Sequence, residues 1–197
     1  MVVRTTTTLT DVGTATGPEA AIRDLALFLV GHLPRLADTG AATLTETTIR
    51  YRDSVLSVQH GAHHRGANRA GDHAPDPDGL LRPDGTPVTV EELLARPGML
   101  LLVPSVDSDM LDELRDALGD LGTVVRVVDG DEGAPEDCVV DPDSGIARAY
   151  GLGAAGSAGL ALIRPDGYLG LVADSADVGV LRAYLADALR ITQLSTI

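Results

Sequence analysis

The chain has 197 residues, a net charge of −14, 44% hydrophobic residues and 3% aromatic residues. That length suits one ordinary domain with an extension, and the apolar fraction suffices for a core built from Leu, Val, Ala and Ile. The acidic charge and the scatter of the 15 basic residues, all arginine, exclude nucleic acid and anionic membrane as partners, because phosphate binding draws on clustered Lys and Arg.

Residues 18–33 (PEAAIRDLALFLVGHL) are expected to be helical. Pro18 suits a first helical position, and Ile22, Leu25, Leu29 and Leu33 recur at helical spacing. Pro34 interrupts the pattern, and a weaker helical stretch is expected over 35–46. The β-branched run 47–58 (TTIRYRDSVLSV) is expected to be extended. From Gly61 to Gly79 the chain is rich in Gly, His, Asp, Asn and Pro, which predicts a linker loop.

The pattern then becomes regular. Residues 79–94 hold a first Arg-Pro-Asp-Gly turn, a short strand and a helical turn. Residues 99–104 (MLLLVP) form a continuous apolar run, as expected of a buried central strand. Residues 107–119 read as a helix with an Asp or Ser cap, acidic residues in its first turn and Gly119 at its end. A strand is expected at 123–128, a short edge element at 138–141 (CVVD), and a helical segment in SGIARAYG. Residues 160–172 (LALIRPDGYLGLV) predict two strands joined by a type I turn, in which Pro165 presets φ and Gly167 accepts the left-handed geometry. An amphipathic helix over 176–190, through Val178, Leu181, Leu185 and Leu189, is expected to close the domain.

A βαβ alternation followed by a β-hairpin and a packing helix is the thioredoxin-like arrangement. The expected fold class is therefore α/β, a central mixed sheet flanked by helices, with an N-terminal helical extension. The expected division is extension 1–60, linker 61–79 and a thioredoxin-like domain 80–197 lacking CxxC.

In that order, "LTDVG…RDLALFLVGHLP", "IRYRDSVLS", "RAGDHAPDPDGLL" and "YGL…ALIRPDGYLGLV" resemble the C-terminal third of class A flavin-dependent aromatic hydroxylases, which tailor aromatic polyketides and cleave phenolic substrates. In those enzymes a thioredoxin-like domain follows the FAD and substrate domains. The resemblance covers about residues 8–190. The flavin motifs (GxGxxG after a first strand, DG, GD) are missing, so the chain looks like the hydroxylase tail without its catalytic body.

Four features are candidate sites. Gly151, Gly153 and Gly156 spell GxGxxG, but a dinucleotide site needs a strand before it and a helix after it. Here the expected order is reversed, which predicts a loop. Ser105 and Ser108 occupy the positions where thioredoxins carry their two thiols. A hydroxyl has no disulfide chemistry, so redox function is absent; Ser105, Asp107 or Ser108 caps the helix or holds a small polar ligand there. His60, His63, His64 and His73 cluster in the loop, but its glycine-rich setting gives no rigid ligand geometry, with Asp72 or Asp76 as the available carboxylates. Cys138 is the only cysteine, so an intrachain disulfide is impossible, and Glu136, Asp137 and Asp141 beside it depress thiol reactivity. It reads as structural rather than as the nucleophile of a thiol peroxidase.

No catalytic residue is assigned, and no cofactor (FAD and NADPH included) or metal is expected. The chain is expected to be cytoplasmic, since it has no apolar leader and no run long enough to span a membrane. The leading functional expectation is an accessory, docking or small-molecule-binding unit in aromatic polyketide oxidation. Its rival is an enzyme acting on a polyketide-like intermediate by acid–base chemistry without flavin. Expected partners are a second copy of the chain, paired through its N-terminal helices, or a flavoprotein oxygenase, with a small aromatic or polyketide ligand.

Overall fold

The structure is a computed structural model that describes residues 50–62, 66–104, 106–130, 138–152 and 158–188. All of these belong to the unit that begins at Arg50. The helices expected over 18–33 and 35–46 lie outside the described residues.

Six strands form one mixed sheet: β1 (Val58–His60), β2 (Met99–Pro104), β3 (Gly122–Val128), β4 (Cys138–Val140), β5 (Leu160–Ile163) and β6 (Leu169–Ala173), in the order β1-β6-β5-β2-β3-β4. β3 runs parallel to β2, whereas β5 runs antiparallel to β2, and β6 antiparallel to β5. The parallel crossover, the antiparallel hairpin and the closing helix give the thioredoxin-like topology that the sequence pattern predicts.

β2 is central because it has no polar residue to expose. Its alternate side chains serve two cores. Leu100 and Leu102 face a layer with Val125, Val127, Ile146 and Tyr150, while Leu101 and Val103 face Leu111, Leu114, Leu162 and Leu181. Leu101 and Leu102 are completely buried, each contributing roughly 1.5–3 kcal/mol of burial.

Helices cover both faces. α1 (Val90–Leu94) starts with a capping box in which the Thr89 hydroxyl accepts from the Glu92 N–H while the Glu92 carboxylate accepts from the Thr89 N–H. α2 (Ser108–Leu118) presents Leu111, Leu114 and Leu118 to the sheet and stops at Gly119, whose φ is 53°. α3 (Gly145–Tyr150) and α4 (Val178–Ala183) follow β4 and β6. Past Ala183 the closing helix widens into a π-turn, Tyr184–Ala188.

Both Arg-Pro-Asp-Gly turns fold alike. The Gly85 N–H donates to the Arg82 carbonyl and the Arg82 N–H to that of Thr86; the Gly167 N–H donates to Arg164 and the Arg164 N–H to Tyr168, all at 2.8–2.9 Å. Gly85 and Gly167 take φ of 81° and 80°, the left-handed geometry their position requires.

Two stretches differ from the sequence expectation. Residues 51–57, expected extended, form successive turns, with the Ser54 N–H on the Tyr51 carbonyl and the Ser57 N–H on that of Ser54. The Ser54 hydroxyl also accepts from the Leu56 N–H, offering the backbone a partner that extended structure would forgo. Only Val58–His60 is a strand, and it joins the sheet beside β6 rather than standing in a separate extension. Residues 66–79, expected as a linker, are stitched to the hairpin instead. The N–H groups of Gly71 and Leu169 donate to the carbonyls of Leu169 and Asp72, and the Ala74 N–H to Gly167. Ala70, Asp72 and Ala74 are buried there.

Candidate functional site

At the position of the thioredoxin thiols, β2 ends at Pro104 and α2 begins at Ser108. The helix cap is Asp107, whose carboxylate accepts from the Met110 N–H at 2.9 Å. Ser108 is the first helical residue and is exposed. Ser105 lies outside the described residues.

The glycine motif follows a helix and precedes a strand, α3 before it and β5 after it, which is the reverse of what a pyrophosphate needs. Gly151 closes α3 in the left-handed conformation; Gly153 and Gly156 lie outside the described residues. The histidines separate. His60 ends β1, whereas the His73 ring meets Tyr168 edge-on at the hairpin; His63 and His64 lie outside the described residues. Among the described residues no three His, Cys, Asp or Glu side chains are grouped to hold a metal.

Cys138 opens β4 and is buried, in register with Arg126 of β3. Of its acidic neighbours Asp141 is described, and both carboxylate oxygens are occupied. They accept from the Gly145 and Ile146 N–H groups at 2.7 and 2.8 Å, which makes Asp141 the anchor of α3.

The structure also assembles residues that pattern reasoning missed. Arg52 donates two hydrogen bonds, each 2.7 Å, to the buried Asp72 carboxylate, which also accepts from the Arg69 N–H. Burial pushes the Asp72 carboxyl up, but the hydrogen bonds from Arg52 and Arg69 and the Arg52 and Arg50 charges outweigh it and hold the group below its ordinary value. Tyr51 stacks edge-on against Tyr168 at 4.8 Å, and Arg164 is held by Asp166 with its guanidinium 6.0 Å from the Tyr168 ring centre. Gly71 permits the close approach of this segment: at φ 89°, a Cβ there would lie 2.5 Å from the Tyr51 and Arg52 backbone. None of this has a sequence signature, because a polar loop and a buried ion pair read alike when the partner lies 20 residues away.

Beside β1 the segment meets the closing helix and leaves a groove of about 550 Å³. Val55, Val58, Val180 and Ala183 supply its apolar walls, and His60, Asp177 and Asp187 its polar groups. Tyr184, also in the lining, donates its hydroxyl to the Leu56 carbonyl at 3.0 Å and so fixes one wall to the other. Burial pushes this phenol up to about 12. Such a groove can hold an apolar ring system and orient it with a few polar contacts. No helix among the described residues is long and apolar enough to cross a membrane.

Fold and site together define a thioredoxin-like α/β module that carries serine, not cysteine, at the start of α2. No protein-family model and no curated protein matches the chain. Among solved structures it is similar to a ternary complex of aklavinone-11 hydroxylase with FAD and aklavinone, at 25% identity and a TM-score of 0.54, over 73% of this chain and 26% of that one. The flavin-dependent monooxygenase PieE, in complex with FAD and substrate, shares the fold at 20% identity and a TM-score of 0.52, over 92% and 31% of the two chains. OxyS anhydrotetracycline hydroxylase from Streptomyces rimosus matches at 24% identity and a TM-score of 0.45, over 86% and 28%. The likeness is thus to FAD-dependent aromatic hydroxylases, of whose length the chain spans between 26% and 31%.

Proposed function

We propose that this chain is a non-redox thioredoxin-like module, corresponding to the C-terminal third of flavin-dependent aromatic hydroxylases, that acts as an accessory in aromatic polyketide oxidation. It docks to a flavoprotein oxygenase or holds a small aromatic ligand. The observation that carries this reading is the 25% identity to aklavinone-11 hydroxylase over 73% of the chain. The single cysteine supports its non-redox character, since it is buried on β4 while the redox position at α2 holds Ser108.

The test combines the purified chain with a flavin-dependent aromatic hydroxylase whose own thioredoxin-like part has been removed, and reads hydroxylated product per NADPH consumed. The reading expects no bound FAD and no product from the chain alone, and a rise in coupled product when both are present. Hydroxylated product from the chain alone would overturn the accessory reading, and the absence of any rise would remove the docking role.

The enzyme reading draws on His60 and Asp187, which bring acid–base groups to an apolar groove. It requires turnover that His60→Ala abolishes. A second copy of the chain is the other partner we propose; light scattering on the intact chain should give twice the chain mass, and a monomer would refute it.

A further inference from the structure

We propose that the groove between β1 and α4 is a binding site for a flat aromatic molecule carrying a protonated amine. The inference rests on the small-ligand part of the reading above, and the hydroxylase assay tests that reading without reference to the groove, so the two can fail separately.

Size comes first. About 550 Å³ lies within the range of roughly 300–1,000 Å³ that small-molecule sites occupy, and suits a ring system of three or four fused rings. The walls set the chemistry. Val58 and Val180 are half-buried, and Val55 at the mouth is 81% exposed, an aliphatic side chain that a ligand would cover. Gly179 adds no side chain, so the helix wall between Asp177 and Val180 is open to a flat face.

Charge then selects among apolar ligands. Among the described residues two carboxylates, Asp177 and Asp187, line the groove beside His60, and no arginine does. Asp177 accepts from the Gly179 N–H at 2.7 Å through Oδ1, which fixes its carboxylate at the start of α4. A carboxylate- or phosphate-bearing molecule would meet two like charges on a chain of net charge −14; an ammonium would meet two opposite ones. The walls are also held in place before any ligand arrives. Tyr184 bonds the helix to Leu56, and β1 is paired with β6 at Val58, Gln59 and His60. A groove preorganised in this way loses little freedom on binding.

The experiment is a fluorescence titration of the full chain with 9-aminoacridine, which is cationic at neutral pH, beside neutral acridone and anionic acridine-9-carboxylate. One saturable site is expected, tightest for the amine and weakest for the carboxylate. Ala183→Trp, at an exposed helix position, fills the groove and should weaken the amine at least about tenfold. Asp187→Asn should weaken it about two- to fivefold, the scale of one exposed charge pair, and leave acridone unchanged. Val55→Arg, at a position already in solvent, gives the same reading without touching the core: amine weaker, carboxylate tighter. Absence of saturable binding, undiminished binding in Ala183→Trp, or a carboxylate probe as tight as the amine would each overturn the proposal. Circular dichroism of each variant confirms that the fold is retained.

Discussion

The Asp141→Ala variant probes how α3 is held. Ser144, at the N-cap position, sits in the left-handed conformation with φ 50°, and its side chain makes no capping bond. The role passes to Asp141, whose two oxygens take the Gly145 and Ile146 N–H groups in a site where the residue is only 2% exposed. Removing the carboxylate leaves two buried donors with no acceptor. A lost cap costs about 0.5–2 kcal/mol, and an orphaned buried donor about 1–3 kcal/mol. Because these overlap, the expected loss is about 2–4 kcal/mol, or about 4–16 °C in Tm for a unit of this size. Collapse of the site offers no escape, since Pro77 already crowds Gly145: a Cβ there would lie 2.9 Å from the proline Cβ. Urea unfolding followed by circular dichroism measures the effect, and an unchanged m-value would assign it to the native state. Asp141→Asn should fall between the two, because its amide offers one acceptor and turns a donor toward the second N–H. A loss below about 1 kcal/mol for Asp141→Ala would refute the reasoning.

Asp72 titrates below its unfolded value, so the stability it lends is complete above the ordinary carboxylate range near about pH 4 and is lost as pH falls through the folded value. Acidification, or Asp72→Asn at neutral pH, should therefore release the Arg50–His60 segment, read as faster hydrogen exchange of the Tyr51 N–H that now bonds Gly71. Gly170→Ala should destabilise more than Tyr184→Phe. The added Cβ would lie 2.2 Å from the Tyr184 hydroxyl and force repacking worth about 1–3 kcal/mol, whereas the phenylalanine loses one hydrogen bond worth about 0.5–1.5 kcal/mol. Peroxide consumption should be negligible and unchanged by Cys138→Ser; turnover lost in that variant would overturn the non-redox assignment.

What the sequence revealed followed the strength of local pattern. β2 and the β5–β6 hairpin were legible because unbroken apolar runs and a Pro-Asp-Gly turn admit few other readings, β3 because its β-branched run is interrupted only by Arg126, and α2 because Leu111, Leu114 and Leu118 keep helical spacing up to Gly119. The closing helix was legible to Ala183, but nothing in Tyr184–Ala188 announces the π-turn, whose first residue donates its hydroxyl to the Leu56 carbonyl. Residues 66–79 misled because their order comes from backbone bonds to the hairpin and from one ion pair, and neither requires apolar periodicity. The groove was illegible for the same reason: its two walls come from opposite ends of the described chain.

That separation bears on how the protein is made. Gln59 of β1 and Val172 of β6 are 113 residues apart, yet among the described residues β1 pairs with no strand but β6. At a ribosomal rate of about 5–20 residues per second, β1 waits about 6–23 s after its own synthesis before β6 exists. Throughout that interval its backbone groups and Val55 and Val58 are open to other nascent chains, while β2, α2 and β3 can already assemble. The β1 edge is therefore the last part of the sheet to be completed, and the interval before β6 emerges is when a chaperone at the ribosome would have most to protect.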